Sequence, residues 1–189
     1  MSKLAFVIDL RRCIGCDTCV VGCKMENAVP LGTFRLKVLD SERNAEFRRP
    51  VGSYPSLSQY WVPTMCHHCE AAPCIRGCPT RALWRDETNG AVTLDKDRCI
   101  GCRRCEEECP YDALWFADDS GTADKCDQCS HRHPHGNGPM CELVCPTRAI
   151  HFGDVHDPQS KVGRLLATRE HQVLGESTGA QPSIYYLSP

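Results

Sequence analysis

Sixteen cysteines in 189 residues constrain this chain more than any other feature of its sequence. They form four groups, and no cysteine is left over. Groups one and three have the spacing C-x2-C-x2-C-x3-C, group two is C-x2-C-x4-C-x3-C, and group four is C-x2-C-x11-C-x3-C. Proline follows the last cysteine of groups two, three and four. Thiols at this density and regularity indicate ligands. The groups are Cys13, Cys16, Cys19 and Cys23; Cys66, Cys69, Cys74 and Cys78; Cys99, Cys102, Cys105 and Cys109; and Cys126, Cys129, Cys141 and Cys145.

Disulfide bonds or structural zinc would also account for many cysteines, but both fit this sequence less well. A disulfide-bonded secreted scaffold often has an even cysteine count, but the apolar run from Leu4 to Ile8 is too short for a signal peptide. Arg11-Arg12 precedes a cysteine, not the apolar segment that follows a twin-arginine signal. Structural zinc favours two separated C-x2-C knuckles. Group four alone could form such a knuckle, whereas the compact groups one and three suit one tetrahedral ion poorly. A c-type haem is excluded because C-x-x-C-H does not occur.

The run C-x2-C-x2-C-x3-C-P is the ligand pattern of bacterial ferredoxins, in which the fourth cysteine binds the partner cluster. Such an exchange requires the groups to be paired. The short segment 79–98 with its Asn89-Gly90 turn signal predicts that groups two and three pair, so groups one and four then pair across them. The predicted [4Fe–4S] ligand sets are Cys13, Cys16, Cys19 and Cys145; Cys126, Cys129, Cys141 and Cys23; Cys66, Cys69, Cys74 and Cys109; and Cys99, Cys102, Cys105 and Cys78.

The sequence around the groups repeats. FVIDLRRC before group one matches VTLDKDRC before group three, which makes Asp9 equivalent to Asp95 and Arg12 to Arg98. CPTRALWRD, CPYDALWFAD and CPTRAIHFGD follow groups two, three and four, and each predicts a turn with alanine facing the cofactor, then a short strand. One position of the repeat is occupied by Trp84, Trp115 and His151. These residues are predicted to be either electron relays or ligands, or bulky side chains that shield a cluster from water.

These patterns predict an α+β fold of two bacterial-ferredoxin-like 2[4Fe–4S] units, one inserted in the other. Residues 1–62 and 120–153 form the first unit, with a β insertion at 31–62 whose segments TFRLKVLD and LSQYWVP read as extended. Residues 63–119 form the second unit. Residues 154–189 supply a helix around 160–171 and an extended arm. The arm contains Tyr185-Tyr186-Leu187, and it covers either a partner or the chain's own core.

The remaining features exclude some function classes. A net charge of −2 gives no basic field, so nucleic acid is not an expected partner. No apolar run approaches the length of a membrane span, so we expect the chain by itself to be soluble. Glu106, Glu107 and Glu108 either lower the potential of a nearby cluster or form a solvated helix face. A metal site or a solvated loop is predicted for His131, His133 and His135.

The four groups in this order resemble the four-cluster electron-transfer subunits of the complex iron–sulfur molybdoenzymes, the dimethyl sulfoxide reductase superfamily. The segments CKMENAVPLGTF, CHHCEAAPC, CPYDA, KCDQCSHR, FGDVHDPQSKV and TGAQPSIYYL are most similar to the polysulfide, thiosulfate and arsenate reductase subunits. Some members of the family replace one group-three cysteine and carry a three-iron cluster. Cys102 is present here, so the resemblance implies four [4Fe–4S] clusters.

The resemblance also implies what surrounds the chain. It implies no catalytic site in this chain, a catalytic subunit with a molybdenum or tungsten bis-pyranopterin, and an integral membrane quinone-binding subunit. The implied cluster order from the catalytic subunit is group one, four, two, three. The expected location is the periplasmic face of the membrane after export with a partner, with the cytoplasmic face as the alternative. The rival functions are a stand-alone polyferredoxin for soluble oxidoreductases and a zinc-stabilised scaffold.

Overall fold

The computed structural model describes residues 2–40, 53–57 and 60–188. Its helices and strands are short, as expected of a chain whose cysteine loops occupy much of its length. Short 3-10 helices lie at Ser130–His135 and Glu176–Thr178. The other elements are β1 (Leu4–Asp9), α1 (Thr18–Glu26), β2 (Leu36–Asp40), β3 (Trp61–Met65), α2 (Pro73–Gly77), β4 (Leu83–Arg85), β5 (Val92–Leu94), α3 (Arg104–Glu107), β6 (Leu114–Phe116), β7 (Ala123–Lys125), α4 (Met140–Leu143), β8 (Ile150–Asp154), α5 (Lys161–Thr168), β9 (His171–Gln172) and β10 (Ile184–Leu187).

A four-stranded sheet with the order β8-β1-β10-β9 contains the first and the last described strands of the chain. Its strand β1 has a neighbour on each edge: it runs antiparallel to β8 and parallel to β10. Its side chains are also buried on both faces, with Phe6 and Ile8 in one core cluster and Val7 in another, which explains why the run LAFVID is almost continuously apolar. The predicted arm is therefore a strand inside the chain's own sheet, with Ile184 and Tyr186 fully buried. Of the two expectations for the arm, the structure shows coverage of the chain's own core.

Three two-stranded hairpins complete the described strands: β2–β3, β4–β5 and β6–β7. The two extended segments of the insertion pair in antiparallel register from Leu36 opposite Met65 to Asp40 opposite Trp61. Most of the loop between them, 41–52 and 58–59, lies outside the described residues. The turn predicted at Asn89-Gly90 is confirmed: Gly90 has φ 77°, which suits glycine, and it closes the β4–β5 hairpin.

The helix predicted around 160–171 is α5, which begins as expected and ends three residues early. Ser160 caps it by accepting a hydrogen bond at its side-chain oxygen from the Gly163 N–H, at 2.8 Å. The helix ends because Arg169 adopts an extended conformation. Among the described residues, the structure contains no helix with the length and apolarity needed to cross a membrane.

Cysteines are part of the buried core of this chain. One core cluster joins Phe6, Ile8 and Tyr186 to Cys19, Cys23, Cys66, Cys126 and Cys141. A second joins Leu83, Leu114 and Phe116 to Cys69, Cys74 and Cys105. Short helices bring the groups together, since α1 packs on α4 and α2 packs on α3. At the first contact Gly22 is needed, because a Cβ there would approach the Val144 side chain to 2.8 Å.

Candidate metal centres

The first three cysteines of group one share a recess with the last cysteine of group four. The recess encloses about 300 Å³ of space that is partly open to solvent. Burial, then repulsion from neighbouring thiolates, raises the pKa of Cys19 to about 12. The cysteines that line it are Cys13, Cys16, Cys19 and Cys145.

Group three forms an equivalent recess with the last cysteine of group two. This second recess encloses about 310 Å³ and is also partly open. The pKa of Cys105 rises to about 11 because of burial and of the thiolates around it, the Cys78 thiolate among them. The cysteines in its lining are Cys78, Cys99, Cys102 and Cys105.

The cysteines of groups two and four are more deeply enclosed. Burial, then repulsion from Cys66 and Cys109, raises the pKa of Cys69 to about 12. Burial, then repulsion from the thiolates around it, likewise raises the pKa of Cys141 well above its usual value. The thiols that act on Cys141 include Cys126, Cys23 and Cys129. The structure thus brings together the four cysteines of each predicted set, and ligation by these sets stays a prediction.

The chemistry of these donors fits iron–sulfur clusters. All sixteen cysteines are free thiols. Ionising four close, buried thiols without a compensating cation is unfavourable, because burial and mutual repulsion both oppose it. A [4Fe–4S] core supplies that positive charge and binds thiolates. The residues present therefore fit four such clusters.

The turn after the fourth cysteine of a group aims a backbone donor at its sulfur. Arg81 and Arg148 have φ near 53° and 52°, a left-handed conformation that reverses the chain. The reversal lets Ala82 N–H donate to Cys78 Sγ at 3.3 Å and Ala149 N–H donate to Cys145 Sγ at 3.2 Å. Although burial opposes it, such bonds and the nearby threonine donors lower the pKa of Cys78 and of Cys145. The repeat C-P-T-R-A thus encodes a preformed thiolate site, with the alanine at the recess as predicted.

Matching bonds link group one to group four and group three to group two. Arg12 Nε donates to the Thr147 carbonyl oxygen at 2.9 Å, and Arg98 Nη2 donates to the Thr80 carbonyl oxygen at 2.9 Å. Asp9 N–H donates to the Ala149 carbonyl oxygen, and Asp95 N–H to that of Ala82, both at 2.8 Å. The equivalence of Arg12 with Arg98 in the sequence repeat therefore has a structural counterpart.

The four sets follow one another in space. The Cys19 thiolate contributes to the raised pKa of Cys141, which connects the first set to the set around group four. The Cys66 thiolate contributes to the raised pKa of Cys126, which connects that set to group two. Groups two and three meet where α2 packs on α3. The order of the groups in space is therefore one, four, two, three.

Asn27 and Arg35 form a polar contact with the group-four set. Asn27 Nδ2 lies 3.7 Å from both Cys23 Sγ and Cys129 Sγ. Arg35 Nη1 donates to Asn27 Oδ1 at 3.0 Å, which fixes the amide with its N–H groups towards sulfur. Arg35 is itself held by Asp124, with Nη2 3.0 Å from Oδ2. Asn27 is therefore an oriented hydrogen-bond donor to two predicted ligands.

Replacing Asn27 with leucine is expected to lower the reduction potential of the group-four cluster. Donors to ligand sulfur stabilise the more negative reduced state, and about 1 kcal/mol of lost stabilisation corresponds to roughly 40 mV for one electron. An EPR-monitored redox titration measures the shift. Asn137→Leu makes the same change at an exposed site and should leave all potentials in place. Equal potentials in the Asn27 variant and the unaltered protein would contradict the assigned role.

The structure contradicts the shielding prediction for Trp84 and His151. Strand side chains alternate, so Leu83 and Ile150, one residue earlier, line the recesses. Trp84 is instead 41% exposed, and His151 is buried in the sheet opposite Val7. Shielding of those two recesses by Trp84 and His151 is therefore wrong, because these side chains point to the other face of their strands.

The histidine loop and the glutamate run have ordinary polar partners. His131 Nε2 lies 2.8 Å from Glu26 Oε1, and His133 Nε2 lies 3.0 Å from the Gln128 carbonyl oxygen. Within the described ranges, no group of His, Cys, Asp and Glu is arranged to hold a single metal ion. Glu106 pairs with Arg103 at 3.0 Å, and its two neighbours in the glutamate run are exposed. These contacts favour the solvated-loop and solvated-face interpretations.

The sequence interpretation missed three residues that contact the cysteine groups or one another near them: Asn27, Arg35 and Lys125. Asn27 lies in CKMENAVP and Lys125 in KCDQC, segments that carried the family resemblance without a role for these residues. Only their adjacency to cysteine groups could have drawn attention to them. Nothing in the sequence indicates that the Lys125 side chain is buried.

Comparisons with known proteins identify the chemistry of these centres. Residues 57–155 match the family model of the 4Fe-4S dicluster domain. The chain is 39% identical over 213 residues to the putative dimethyl sulfoxide reductase iron-sulfur subunit of Halobacterium salinarum, covering all of this chain and 80% of that protein. It is 37% identical over 187 residues to a subunit of the tetrathionate reductase of Salmonella typhimurium, covering 98% and 72%. It is 35% identical over 208 residues to a subunit of the sulfite dehydrogenase of Allochromatium vinosum, covering 99% and 83%.

The fold and the cysteine sets define an iron–sulfur protein whose cysteines bind [4Fe–4S] clusters, and sixteen cysteines are consistent with four clusters. The chain belongs to the iron–sulfur subunits of the dimethyl sulfoxide reductase-family molybdoenzymes. It is thus an electron-transfer subunit of an oxidoreductase complex that includes a catalytic subunit. The narrower likeness to polysulfide, thiosulfate and arsenate reductase subunits stays a prediction.

Proposed function

We propose that this chain relays electrons through four [4Fe–4S] clusters between a molybdenum or tungsten bis-pyranopterin catalytic subunit and an integral membrane quinone-binding subunit. When bound, each cluster supplies a carrier for one electron. The chain contributes the spacing of the carriers, their burial and the polar groups that set their potentials. The complex is placed at the membrane through its partner subunits, on the periplasmic face after co-export.

The observation that carries this proposal is the difference between the end sets and the middle sets. Cys16 of group one and Cys102 of group three are the exposed cysteines among the sixteen. The group-four and group-two sets lie between them. Every cysteine of these two sets is buried except Cys109, which is half-buried. A relay needs this arrangement, because electrons enter and leave at its ends and intermediate carriers are protected from solvent.

Each end of the proposed relay also presents an exposed isoleucine beside a ligand loop. Ile14 is 56% exposed and lines the group-one recess, and Ile100 is 66% exposed and lines the group-three recess. Val21 and Met25 add exposed apolar surface on α1, next to group one. Apolar surface of this kind suits protein docking at both ends. We assign the group-one end to the catalytic subunit and the group-three end to the membrane subunit because the family resemblance implies that order.

The nested ferredoxin arrangement is part of the proposal. Its support is the paired set of bonds from Arg12 to Thr147 and from Arg98 to Thr80. The first bond joins 1–62 to 120–153, and the second lies within 63–119. Residues 154–189 would then close the sheet against β1.

Ile14→Asp is expected to abolish co-purification of the catalytic subunit with this chain, because a carboxylate in an apolar interface is costly to desolvate. Ile100→Asp is the matched control and should retain the catalytic subunit while releasing the membrane subunit. Both variants should retain about sixteen iron and sixteen sulfide per chain. The opposite pattern of release would reverse the assigned ends. If the unaltered chain carries all its iron and sulfide but binds neither subunit, the result would instead support the stand-alone polyferredoxin.

A further inference from the structure

Lys125 is a buried lysine between two cysteine groups. The residue is 3% exposed, and it ends strand β7 directly before Cys126. Its Nζ donates to the Cys126 carbonyl oxygen at 2.9 Å and to the Val92 carbonyl oxygen. Carbonyl oxygens satisfy its donors without cancelling its charge. A lysine in this position is costly unless negative charge nearby offsets its desolvation.

The carboxylates closest to this region have other cations as partners. Asp124 is held by Arg35 and Lys96, and Asp127 pairs with Arg35 at 3.2 Å. Among the described residues, no carboxylate lies within ion-pair distance of Lys125 Nζ.

Lys125 contacts the strand that packs against the group-two cysteines. Val92, whose carbonyl oxygen accepts from Lys125 Nζ, lies in one buried cluster with Cys69 and Cys74 of group two. The Val92 N–H donates to Nδ1 of His68, in the Cys66–Cys69 loop, at 3.0 Å.

Lys125 also lies at the step between two proposed carriers. Its chain neighbour Cys126 belongs to the group-four set, whereas Cys74 belongs to the group-two set. Cys66 and Cys126 lie in the same buried core cluster. A fixed cation at this position favours the more negative, reduced state of an adjacent cluster.

We propose that Lys125 tunes electron transfer. Its buried ammonium raises the reduction potential of the group-two cluster and so favours electron transfer to that cluster from the group-four cluster. This inference rests on the proposed relay. The effect is electrostatic, so no bond to the cluster forms or breaks. Arg85, whose Nη1 donates to the Gly90 carbonyl oxygen at 2.6 Å, is a second cation near group two, but it is only half-buried.

The test is an EPR-monitored redox titration of the intact complex carrying Lys125→Gln. We expect one of four midpoint potentials to fall, with at least a tenfold loss in the equilibrium constant for reduction, or 59 mV for one electron. Lys125→Arg keeps the charge and should keep the potential. Lys96→Gln removes a neighbouring cation that is 54% exposed and paired with Asp124, so it should give a smaller shift.

Iron and sulfide content separates this test from that of the relay itself. Fewer than four clusters in the unaltered chain would contradict the relay, whereas four clusters with unshifted potentials in Lys125→Gln would overturn only the role of Lys125. Equal falls in the glutamine and arginine variants would also overturn it, because packing would then be responsible. If the glutamine variant lacks a cluster, Lys125→Met provides the same comparison with an apolar chain of similar length. Loss of a cluster in both neutral variants would overturn the proposal in favour of a structural role.

Discussion

Replacing Cys109 with alanine is expected to remove or convert the cluster of group two, although Cys109 belongs to group three in sequence. The Cys109 thiolate contributes to the raised pKa of Cys69 and of Cys74. The thiols that act on Cys105 are instead Cys99, Cys102 and Cys78. Total iron should fall from about sixteen towards about twelve per chain if the cluster is lost.

The identity of the damaged cluster is read from matched variants. Cys69→Ala damages the group-two cluster under any pairing, and Cys102→Ala damages the group-three cluster. The EPR spectrum of Cys109→Ala should match that of Cys69→Ala, and the spectrum of Cys78→Ala should match that of Cys102→Ala. If each instead matched the variant from its own sequence group, the exchanged-ligand scheme would be wrong.

The short helix before the fourth cysteine of groups two and three is the physical reason to expect the exchange. In group three, α3 begins at Arg104 and ends at Glu107, so it carries the chain about one turn away from Cys105. Since α3 packs on α2, this turn moves Cys109 towards the group-two loop. In the same way α2 ends at Gly77 and directs Cys78 towards group three. A Cβ at Gly77 would approach the Glu108 side chain to 3.2 Å, so a small residue suits this contact.

Local patterns in the sequence predicted much of this structure. The Asn89-Gly90 turn and the start of α5 at Lys161 depend on neighbouring residues only, and both are observed. The sequence repeat also predicted that Arg12 and Arg98 are equivalent, and both donate to a threonine carbonyl. Such features are encoded by side chains a few residues apart, which is why spacing and repeats reveal them.

Contacts between distant segments could not be predicted in the same way. The position of Ile184–Leu187 beside β1 depends on a pairing across the whole chain. The burial of Lys125 depends on Val92, which lies on another hairpin. For Trp84, the repeat gave the correct strand but the wrong face, and a one-residue difference reverses the direction of a strand side chain.

The carboxyl-terminal segment connects the central sheet to the group-two loop. Phe6 N–H donates to the Ser183 carbonyl oxygen at 3.2 Å, and Ser183 N–H donates to the His67 carbonyl oxygen at 2.8 Å. Ser183 Oγ also donates to the His68 carbonyl oxygen, at 3.2 Å. Next to this connection, the Tyr186 ring is fully buried, and its hydroxyl donates to the Pro63 carbonyl oxygen at 3.0 Å. Tyr186 therefore joins β10 to β3, which leads into Cys66.

Tyr186→Ala is consequently expected to lower the free energy of unfolding by about 3–5 kcal/mol, the usual cost of removing a buried aromatic side chain. Loss of iron–sulfur absorption in guanidinium chloride reports the change as a lower midpoint concentration. Because β10 also supports the group-two loop, the group-two cluster should be the first EPR signal to disappear.

The control Tyr54→Ala removes the same side chain where it is 90% exposed, and its midpoint should match that of the unaltered chain. Tyr186→Phe separates packing from hydrogen bonding, since it keeps the ring and loses the bond to Pro63, a change worth about 1 kcal/mol. A midpoint for Tyr186→Ala equal to that of Tyr54→Ala would mean that the carboxyl-terminal strand does not stabilise the sheet. A much lower midpoint with simultaneous loss of all clusters would show that the sheet and the cysteine loops unfold as one unit, whereas early loss of the group-two signal would assign β10 a local role in holding that loop.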